Sequence, residues 1–349
     1  MKNTDGTTTK QIVWIDFLRM VACFLVIVNH TNSRIFVETT PSFEWFISLT
    51  YFFVSKVAVP IFLMISGYLL LDKEDSYRKM LSRLGKTLGA LVLFSAIYYY
   101  YYIRLGKSIP HSISGFLLAI VKEPISGSFW YLYMYMGMLI MLPFLQKLVK
   151  NMKKNDFHIF FAISFVVYGG WPIVVHYIPE MKLTEEFDIP LLGSYICILL
   201  LGYYIKLYCN TAKKLKTISA IIFMIAITFN VVVTFLEYTY VSQAKEKYLF
   251  LDDRTFLPIV LAAACLFYCV RDITFSNKLG NIISTIGPCS FGIYLLSDLL
   301  ISNFQFVFEF FDRYIPSLLA VLIQEIWIFG VGFLITYLLR KTPGIRKIL

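Results

Sequence analysis

The chain has 349 residues, of which 58% are hydrophobic and 15% charged, and its mean hydropathy is +0.70. Soluble domains carry roughly 25% charged and 45–50% apolar residues, so this composition excludes a soluble globular protein and indicates a polytopic membrane protein surrounded by lipid. The formal net charge of +10 does not indicate a nucleic-acid partner, because the basic residues lie in short segments between apolar stretches and form no block interleaved with aromatic residues.

Apolar stretches recur along the chain at lengths that approach the roughly 20 residues of helix that a bilayer core requires. We predict an all-α polytopic membrane helix bundle with ten spans, at residues 12–31, 44–71, 86–104, 129–149, 157–178, 189–208, 216–238, 255–271, 282–304 and 315–339. No small-residue cleavage site follows the first span, so it is predicted to be retained rather than removed as a signal peptide. Residues 112–121 are too few to cross and are predicted to lie at the membrane interface. The bundle occupies residues 12–339, with tails at 1–11 and 340–349, in one domain of residues 1–349.

The distribution of Lys and Arg predicts the orientation of these spans. With ten spans and a cytoplasmic N-terminus, 21 of the 32 basic residues fall in cytoplasmic segments, 9 fall in outer segments and 2 lie within spans. Cytoplasmic segments carry the excess of Lys and Arg in membrane proteins, so both termini are predicted to be cytoplasmic. The expected location is the inner (cytoplasmic) membrane of the cell, which the chain crosses many times.

The first span carries three ionisable residues, Asp16, Arg19 and His30. On a helix, Arg19 and His30 lie within roughly 20° of one face and about 16 Å apart along the axis, with His30 near the outer end. Asp16 is close enough to Arg19 in sequence to pair with it. A neutral imidazole can take a proton from a hydroxyl and return it to a leaving group, so these three residues are the candidate catalytic group. The alternative is that His30 is an interfacial residue satisfied by water or a backbone carbonyl.

The second span and the segment after it carry candidates for binding a donor molecule. Lys56 lies well inside apolar residues, so it needs a counter-charge, a path for its amine to the interface, or an anionic ligand. Ser66 and Tyr68 add hydroxyls near the cytoplasmic end of the same span. Arg83 and Lys86, on one face of a helix start, could hold the phosphates of a nucleotide-like donor. The alternative is that this basic cluster follows the positive-inside rule or contacts anionic lipid headgroups.

The later spans contain fewer polar candidates. Trp130 opens the fourth span, where aromatic residues would ordinarily form an interfacial belt. The ninth span carries Tyr294 and Asp298, and Asp298 lies at a depth similar to that of His30, where it could orient or charge-balance the imidazole. Glu325, midway along the tenth span, is an intramembrane acid with no obvious partner nearby in the sequence.

The remaining histidines and the cysteines do not indicate a further site. His111 and His158 fit loop or interface positions, and His176 lies near an outer span end. The six cysteines lie mostly inside or at the ends of apolar stretches, and the four-residue spacing of Cys265 and Cys269 has no matching His or second Cys pair. Neither a disulfide nor a bound metal is therefore predicted.

Several of these motifs together resemble the acyltransferase-3 family of integral membrane acyltransferases. The matching residues are Trp14–Arg19 through His30–Thr31, with the family's Arg and His separated by ten residues; Lys56–Pro60 through Ser66–Tyr68; the basic pair Arg83 and Lys86; and Phe129–Leu132 through Pro143. The similarity extends from Trp14 to about Ile301 and so covers most of the chain. It implies a ten-helix domain that takes an acyl group, usually acetyl, from cytoplasmic acyl-CoA and passes it to a hydroxyl of a surface glycan or its lipid-linked precursor.

The resemblance also implies roles for individual residues. His30 would be the acid/base or transfer residue, with Arg19 as its partner along the donor path, and Arg83 and Lys86 would hold CoA phosphates. Two departures concern the acceptor side. Ser297 stands where many members have a His after the Tyr-Leu of the ninth span, and Ser128 takes the place of a His before the fourth-span Trp. If either His helps to handle the acceptor, the acceptor or the efficiency of this protein differs.

From these residues we predict an O-acyltransferase with acetyl-CoA as donor, no metal, and a surface glycan or lipid-linked saccharide as acceptor. We expect the acceptor to contact Trp130, Tyr294 and Asp298. The residues expected to contact the donor are Lys56, Ser66, Tyr68, Arg83 and Lys86. The alternative is a permease or flippase that uses Arg19, Lys56 and Asp298 as its pathway. Such transporters show interrupted helices at corresponding positions of two repeated halves, and the sequence shows no such repeat. A purely structural subunit is disfavoured by the charges within spans.

Overall fold

The computed structural model describes residues 12–31, 36, 40–107, 109–184, 194–241, 251, 253 and 255–349. This part of the chain is helical and contains no β-strand, which confirms the all-α prediction. The α-helices, numbered in chain order, are α1 Val13–His30, α2 Phe43–Ser55, α3 Ala58–Leu70, α4 Tyr77–Arg104, α5 Ile113–Lys122, α6 Trp130–Asn151, α7 Lys154–Ser164, α8 Trp171–Tyr177, α9 Ser194–Tyr208, α10 Lys213–Leu236, α11 Leu257–Val270, α12 Asn277–Ile286, α13 Ser290–Asn303, α14 Gln305–Phe311, α15 Ser317–Leu339 and α16 Pro343–Arg346. Short 3₁₀ or π-helical turns adjoin some of them, at Gly127–Phe129, Phe165–Gly170, Pro179–Met181, Glu237–Val241 and Gly287–Cys289.

Helical segments that could cross a membrane make up most of the fold. By length and composition, eight segments of the described chain qualify, namely Val13–His30, Phe43–Leu70, Tyr77–Arg104, Gly127–Asn151, Lys154–Tyr177, Lys213–Tyr240, Asn277–Asn303 and Ser317–Leu339. Each overlaps a predicted span, although Tyr77–Arg104 begins nine residues before the predicted start at residue 86, and the protein is therefore a polytopic helical membrane protein.

The other two predicted spans are shorter helices. They correspond to α9 and α11, which have 15 and 14 residues. At 1.5 Å per residue these helices are about 23 and 21 Å long, less than a bilayer core of about 30 Å. The first residues of the predicted span 189–208 lie outside the described residues. The total of ten crossings and the side of the termini therefore stay predictions.

α1 lies at the centre of the bundle, where it contacts α2, α3, α12, α13 and α15. Its apolar side chains are mostly buried, and Leu18, Ala22 and Val28 have no exposed surface. Contacts on several sides explain why a short span with polar residues is stable, since those residues face the interior of the bundle rather than lipid. We call the end of the bundle at which α1 begins the proximal end, and the opposite end the distal end.

The second crossing segment, Phe43–Leu70, is interrupted in its middle. α2 and α3 are separated by Lys56 and Val57, whose N–H groups donate to carbonyls three residues earlier at 3.2 and 3.3 Å. The cause is Pro60, which has no N–H to donate to the carbonyl of Lys56 and whose ring would clash with that carbonyl in a continuous helix. The interruption places Lys56 halfway along the segment.

One face of α3 packs against α9, and the two backbones approach closely at two glycines. A Cβ atom on Gly67 would lie 1.8 Å from the carbonyl oxygen of Leu199, and one on Gly202 would lie 2.1 Å from that of Met64. Only glycine permits this separation, because any side chain would overlap a backbone atom. The opposite face of α3 is thereby turned toward the interior of the bundle.

The residues that were predicted to lie at the interface form α5, a helix of 10 residues. Its length of about 15 Å is too short to cross a bilayer. One side is tied to the bundle by the hydroxyl of Tyr133, which donates to the carbonyl of Ile120 at 2.7 Å. On the other side, Ile113 and Val121 are 81% and 80% exposed. An apolar face of this kind is typical of a helix at a membrane surface.

Candidate active site

A cavity of about 560 Å³ lies inside the bundle, between α1, α3, α6 and the start of α13. Arg19 and His30 both line it, and eleven steps along α1 separate them by about 16 Å. Thr87 and Leu349 line it toward the proximal end, and Trp130 toward the distal end. The polar stripe that the sequence predicted on α1 therefore faces one continuous space.

The structure divides the predicted site residues into two groups. The residues that line the cavity are Arg19, His30, Lys56, Ser66, Trp130 and Tyr294. The lining does not include Asp16, Tyr68, Arg83, Lys86 or Asp298. The residues of the second group contact neighbouring side chains or lie outside the cavity.

Asp16 forms an ion pair with Arg19 on the side of Arg19 away from the cavity. A guanidinium nitrogen of Arg19 donates to Oδ1 of Asp16 at 2.9 Å, and the Asp16 side chain is only 3% exposed, whereas that of Arg19 is 34% exposed. The turn at Gly287 covers Asp16, since a Cβ atom on Gly287 would lie 2.4 Å from Cβ of Asp16. The buried carboxylate thus offsets the charge of a guanidinium that reaches the cavity.

His30 faces the carboxylate of Asp298. Nδ1 of His30 lies 3.8 Å from Oδ1 of Asp298, which is an electrostatic contact rather than a hydrogen bond. The other oxygen, Oδ2, accepts hydrogen bonds from the hydroxyl of Ser126 and from the N–H of Ser128, the latter at 3.2 Å. The turn before α6 therefore fixes the carboxylate beside the imidazole. The sequence indicated Asp298 but gave no sign of Ser126.

The two positions at which the sequence departs from the family pattern have different surroundings. Ser297 is fully buried, and its hydroxyl donates to the carbonyl of Tyr294 in its own helix at 2.8 Å. Ser128 lines the cavity, and its carbonyl accepts a hydrogen bond of 2.6 Å from the hydroxyl of Tyr294. Ser128 thus uses its backbone to hold both Tyr294 and Asp298 at the distal part of the cavity.

His30 is the last residue of α1, as its predicted position near the outer end of the first span requires, and α1 ends level with the middle of another crossing segment. Oγ of Ser55 lies 3.3 Å from Oδ1 of Asn29, so the end of α1 is level with the end of α2. Because α2 and α3 each have 13 residues, this contact is near the middle of the crossing segment. α1 ends at half the height of α2–α3, and the imidazole lies at that level.

Lys56 is at the same level. It lines the cavity, and its Nζ lies 4.3 Å from the centroid of the Phe52 ring. A cation over an aromatic face is attracted by the ring quadrupole, most strongly where water is excluded. The ammonium is therefore held inside the bundle, beside the interruption between α2 and α3.

Tyr68, which was predicted to contact the donor, does not line the cavity. Its ring packs edge-on against Trp14, with centroids 5.1 Å apart, and lies 6.0 Å from Phe267. Lys206 and Arg271 lie over the same ring, at 5.4 and 5.9 Å. Tyr68 is two residues from Ser66 on α3 and points to the other side of that helix. It belongs to an aromatic contact at the proximal end.

Arg83 and Lys86 do not come together at the cavity. Arg83 forms an ion pair with Asp75, whose buried side chain also accepts from the amide of Gln146 at 2.9 Å and lies 3.1 Å from Nζ of Lys79. Burial alone would raise the pKa of Asp75, but the hydrogen bonds from Arg83 and Gln146 and the nearby ammonium hold it below its ordinary value. Lys86 is exposed. The geometry gives Arg83 a structural partner, and phosphate binding by this pair stays a prediction.

Glu325 has partners on two other helices. Its buried carboxylate accepts hydrogen bonds from the hydroxyl of Thr31, at 2.6 Å, and from the hydroxyl of Tyr51. Thr31 follows His30 directly, so this contact joins α15 and α2 to the end of α1. Sequence reasoning missed the arrangement because both partners are far from Glu325 along the chain.

Within the described residues, no group of three or more His, Cys, Asp or Glu side chains could hold a metal ion. The chemistry available in the cavity is that of an imidazole with a carboxylate beside it, a guanidinium and an ammonium. A histidine backed by a carboxylate is suited to proton transfer from a hydroxyl, and the cations are suited to an anionic or carbonyl-bearing ligand.

Comparison with known proteins bears on this arrangement. A family model described as "Acyltransferase domain" matches residues 12–340, which is nearly the whole chain. No curated protein and no solved structure matches the chain.

Proposed function

The chain belongs to the acyltransferase family whose model spans residues 12–340, and from that membership and the cavity we propose that it is a membrane-bound O-acyltransferase. It moves an acetyl or other short acyl group from acyl-CoA to a hydroxyl of a cell-envelope glycan or its lipid-linked precursor. The observation that carries this proposal is that Arg19 and His30 line one cavity. A single space that reaches both residues can receive a donor from one side and an acceptor from the other.

The proposed orientation puts the proximal end in the cytoplasm and the distal end outside the inner membrane. It is supported by the excess of Lys and Arg in the segments assigned to the proximal side. Acyl-CoA is made in the cytoplasm, so the donor approaches from the proximal end and the envelope saccharide from the distal end.

The cavity suits the acyl-bearing arm of the donor. Its volume of about 560 Å³ lies in the range of small-molecule sites, and its walls combine apolar side chains such as Phe62 and Ile65 with few polar groups. The pantetheine arm and thioester fit this environment, while the nucleotide stays at the proximal surface. At that surface, Lys86 and the basic residues near it in α4, Arg78, Lys79 and Arg83, can bind the phosphates of the nucleotide.

The proposed reaction uses His30 as the acid/base. Its imidazole takes the proton of the acceptor hydroxyl as the hydroxyl oxygen adds to the thioester carbonyl carbon, and a C–O bond forms. When the adduct collapses the C–S bond breaks, and the imidazolium returns the proton to the CoA thiolate. Asp298, 3.8 Å from Nδ1, stabilises the imidazolium between these steps. General acid–base catalysis of this kind contributes about 100- to 10,000-fold to the rate.

The proposed acceptor site lies around Trp130 and Tyr294, beside Asp298. An indole face and hydroxyl or carboxylate acceptors are the groups that bind sugar rings, by stacking and by hydrogen bonds. Within the family, we propose that this chain resembles the O-acetyltransferase of enterobacterial common antigen. We extend its class of acceptor, a lipid-linked envelope saccharide, to this protein.

The alternative is a permease or flippase for a small polar or glycolipid substrate. One observation favours it, namely the interruption at Lys56, because transporters often bind substrate at an interrupted helix near the membrane midplane. Family membership favours the enzyme. The two are separated by whether a thioester is cleaved.

The proposal is tested by incubating purified protein with acetyl-CoA labelled in the acetyl group and measuring thiol release. The wild type is expected to release CoA, quickly with membrane extract as acceptor and slowly without it. His30→Ala is expected to release none while still binding CoA. His158→Ala, which alters an exposed histidine in contact with Tyr204, is the control and should match the wild type. CoA release by His30→Ala at the wild-type rate, or no CoA binding at all, would overturn the proposal.

A further inference from the structure

Lys56 shares the cavity with His30, and the fold holds both residues at one level. Lys56 follows Ser55, and His30 follows Asn29, and Oγ of Ser55 lies 3.3 Å from Oδ1 of Asn29. The contact therefore aligns the end of α2 with the end of α1. The side chains of the two following residues both line the cavity from this level.

The ammonium of Lys56 has a defined location within the bundle. Phe52, whose ring is 4.3 Å from Nζ, is fully buried and lies one helical turn nearer the distal end. A lysine that only escaped from lipid would extend its amine to the membrane surface. This one is retained beside a buried ring, at mid-depth and next to the cavity.

The location of Lys56 argues against its binding the phosphates of CoA. In CoA the length of the pantetheine arm separates the thioester from the phosphates, so a group level with the acid/base lies at the thioester. The inference rests on the proposed function, since it takes His30 to mark the point of transfer. A cation at that point meets the carbonyl group rather than the nucleotide.

We propose that Lys56 is a catalytic residue, whose ammonium stabilises the negative charge that forms on the thioester carbonyl oxygen. As the acceptor oxygen adds to the carbonyl carbon, the C=O π electrons move to that oxygen and make an oxyanion. Nζ–H groups of Lys56 donate to it. The electrons return when the C–S bond breaks, the ester carbonyl forms, and the thiolate receives the proton from His30. Lys56 keeps its own protons throughout.

The residues that follow Lys56 line the same part of the cavity. Ala58 and Val59, the first residues of α3, are among the lining residues. Because α2 ends just before Lys56, the negative C-terminal end of α2 offsets the positive N-terminal end of α3, and the ammonium of Lys56 supplies the positive charge at this point. The low polarity of the cavity strengthens its attraction for an oxyanion.

The test compares Lys56→Met, which keeps the length of the side chain without its charge, with Lys56→Arg, which keeps a cation. We expect Lys56→Met to lower kcat for CoA release by about 100- to 1,000-fold, the usual effect of removing one oxyanion donor. Its Kd for CoA should stay within about threefold of the wild type, because the phosphates are elsewhere. Lys56→Arg should recover at least a tenth of the wild-type kcat. Lys122→Met, at an exposed position of α5, is the control and should keep the wild-type kcat.

Several results would overturn the inference. An unchanged kcat for Lys56→Met, or a loss confined to CoA affinity, would assign Lys56 to no role or to the phosphates. If Lys56→Met and Lys56→Gln both fail to give folded protein in detergent, the role is structural and the inference is wrong. Absence of acetyl transfer by the wild type would instead refute the proposed function, so the two failures are distinguishable.

Discussion

Nδ1 of His30 and Oδ1 of Asp298 lie 3.8 Å apart, although the two residues come from opposite ends of the chain. The carboxylate does not depend on His30 for its position, because Ser126 and the N–H of Ser128 hold its other oxygen. A carboxylate anchored in this way can stabilise a positive charge on the imidazole beside it. This geometry supports the proposal that His30 is the acid/base and Asp298 its counter-charge.

The first prediction concerns this pair. Asp298→Asn keeps the size of the side chain and an oxygen for the Ser126 hydroxyl, but it removes the charge that stabilises the imidazolium. We expect kcat for CoA release to fall by about tenfold or more, with the Kd for CoA unchanged. Asp312→Asn, at an exposed position, should have the wild-type kcat. A wild-type kcat in Asp298→Asn would show that the carboxylate has no part in transfer.

The second prediction concerns the contact behind Arg19. A Cβ atom at position 287 would lie 2.4 Å from Cβ of Asp16 and within 2.9 Å of its backbone, so Gly287→Ala must push α1 away from this turn. Overpacking of this kind costs about 1–3 kcal/mol. The expected result is a lower Tm in detergent, together with weaker CoA binding because Arg19 is displaced.

Gly85→Ala provides the matched control for Gly287→Ala. Position 85 lies in α4, and a Cβ atom there would meet nothing within 4 Å. Alanine is favoured over glycine in a helix by about 1 kcal/mol, so the Tm should be equal or higher. A Gly287→Ala protein as stable as Gly85→Ala would contradict the close packing of α1 against this turn.

The third prediction concerns Glu325, which accepts hydrogen bonds from Thr31 and Tyr51. Glu325→Ala removes a buried carboxylate and leaves two part-buried hydroxyls without this acceptor, and it is expected to destabilise the protein by about 1–3 kcal/mol. Glu325→Gln keeps an acceptor oxygen and should lose less. Thermal unfolding in detergent measures both, with Glu309→Ala as an exposed control. Equal Tm values for Glu325→Ala and Glu309→Ala would mean that the contact does not stabilise the end of α1.

The fourth prediction is a dependence of stability on pH. The pKa of Asp75 in the folded protein is below its ordinary value of 3.8, so its stabilising effect is fully present above that value. The effect is lost as the pH falls through the lower, folded-state pKa. The Tm difference between the wild type and Asp75→Asn should therefore be largest near neutral pH and shrink below about pH 4.

This pH dependence is measured by recording Tm for both proteins in one detergent between pH 7 and the lowest pH at which they stay soluble. Since other carboxylates titrate in both proteins, only the difference between them reports on Asp75. A difference that stays constant over the whole range would contradict the ion pair with Arg83.

Much of the bundle follows from helical periodicity and from the length of apolar stretches. Arg19 and His30 share one helix, so their common face could be predicted from their spacing alone. By contrast, the sequence alone could not predict which face of α3 is turned toward the cavity. Tyr68 and Ser66 are two residues apart, and only the close packing of Gly67 against Leu199 decides which of them faces the cavity.

Contacts between distant spans were beyond sequence reasoning. The partners of Glu325 come from α1 and α2, and the anchor of Asp298 at Ser126 comes from the turn before α6. The position of Lys56 relative to His30 along the bundle depends on where Pro60 interrupts the α2–α3 segment and on where α1 ends. The sequence indicated a buried lysine, but only the contact between Ser55 and Asn29 relates it to His30.

The most direct test of transfer through the bundle uses membrane vesicles of opposite orientation from cells that make the protein and its native acceptor. Acetyl-labelled acetyl-CoA, which does not cross membranes, is added to inside-out and to right-side-out vesicles. Label should enter the envelope saccharide only in inside-out vesicles, and His30→Ala vesicles should incorporate none. Equal labelling in right-side-out vesicles, or labelling that survives His30→Ala, would contradict a reaction in which the donor reaches His30 through the cavity from the cytoplasm.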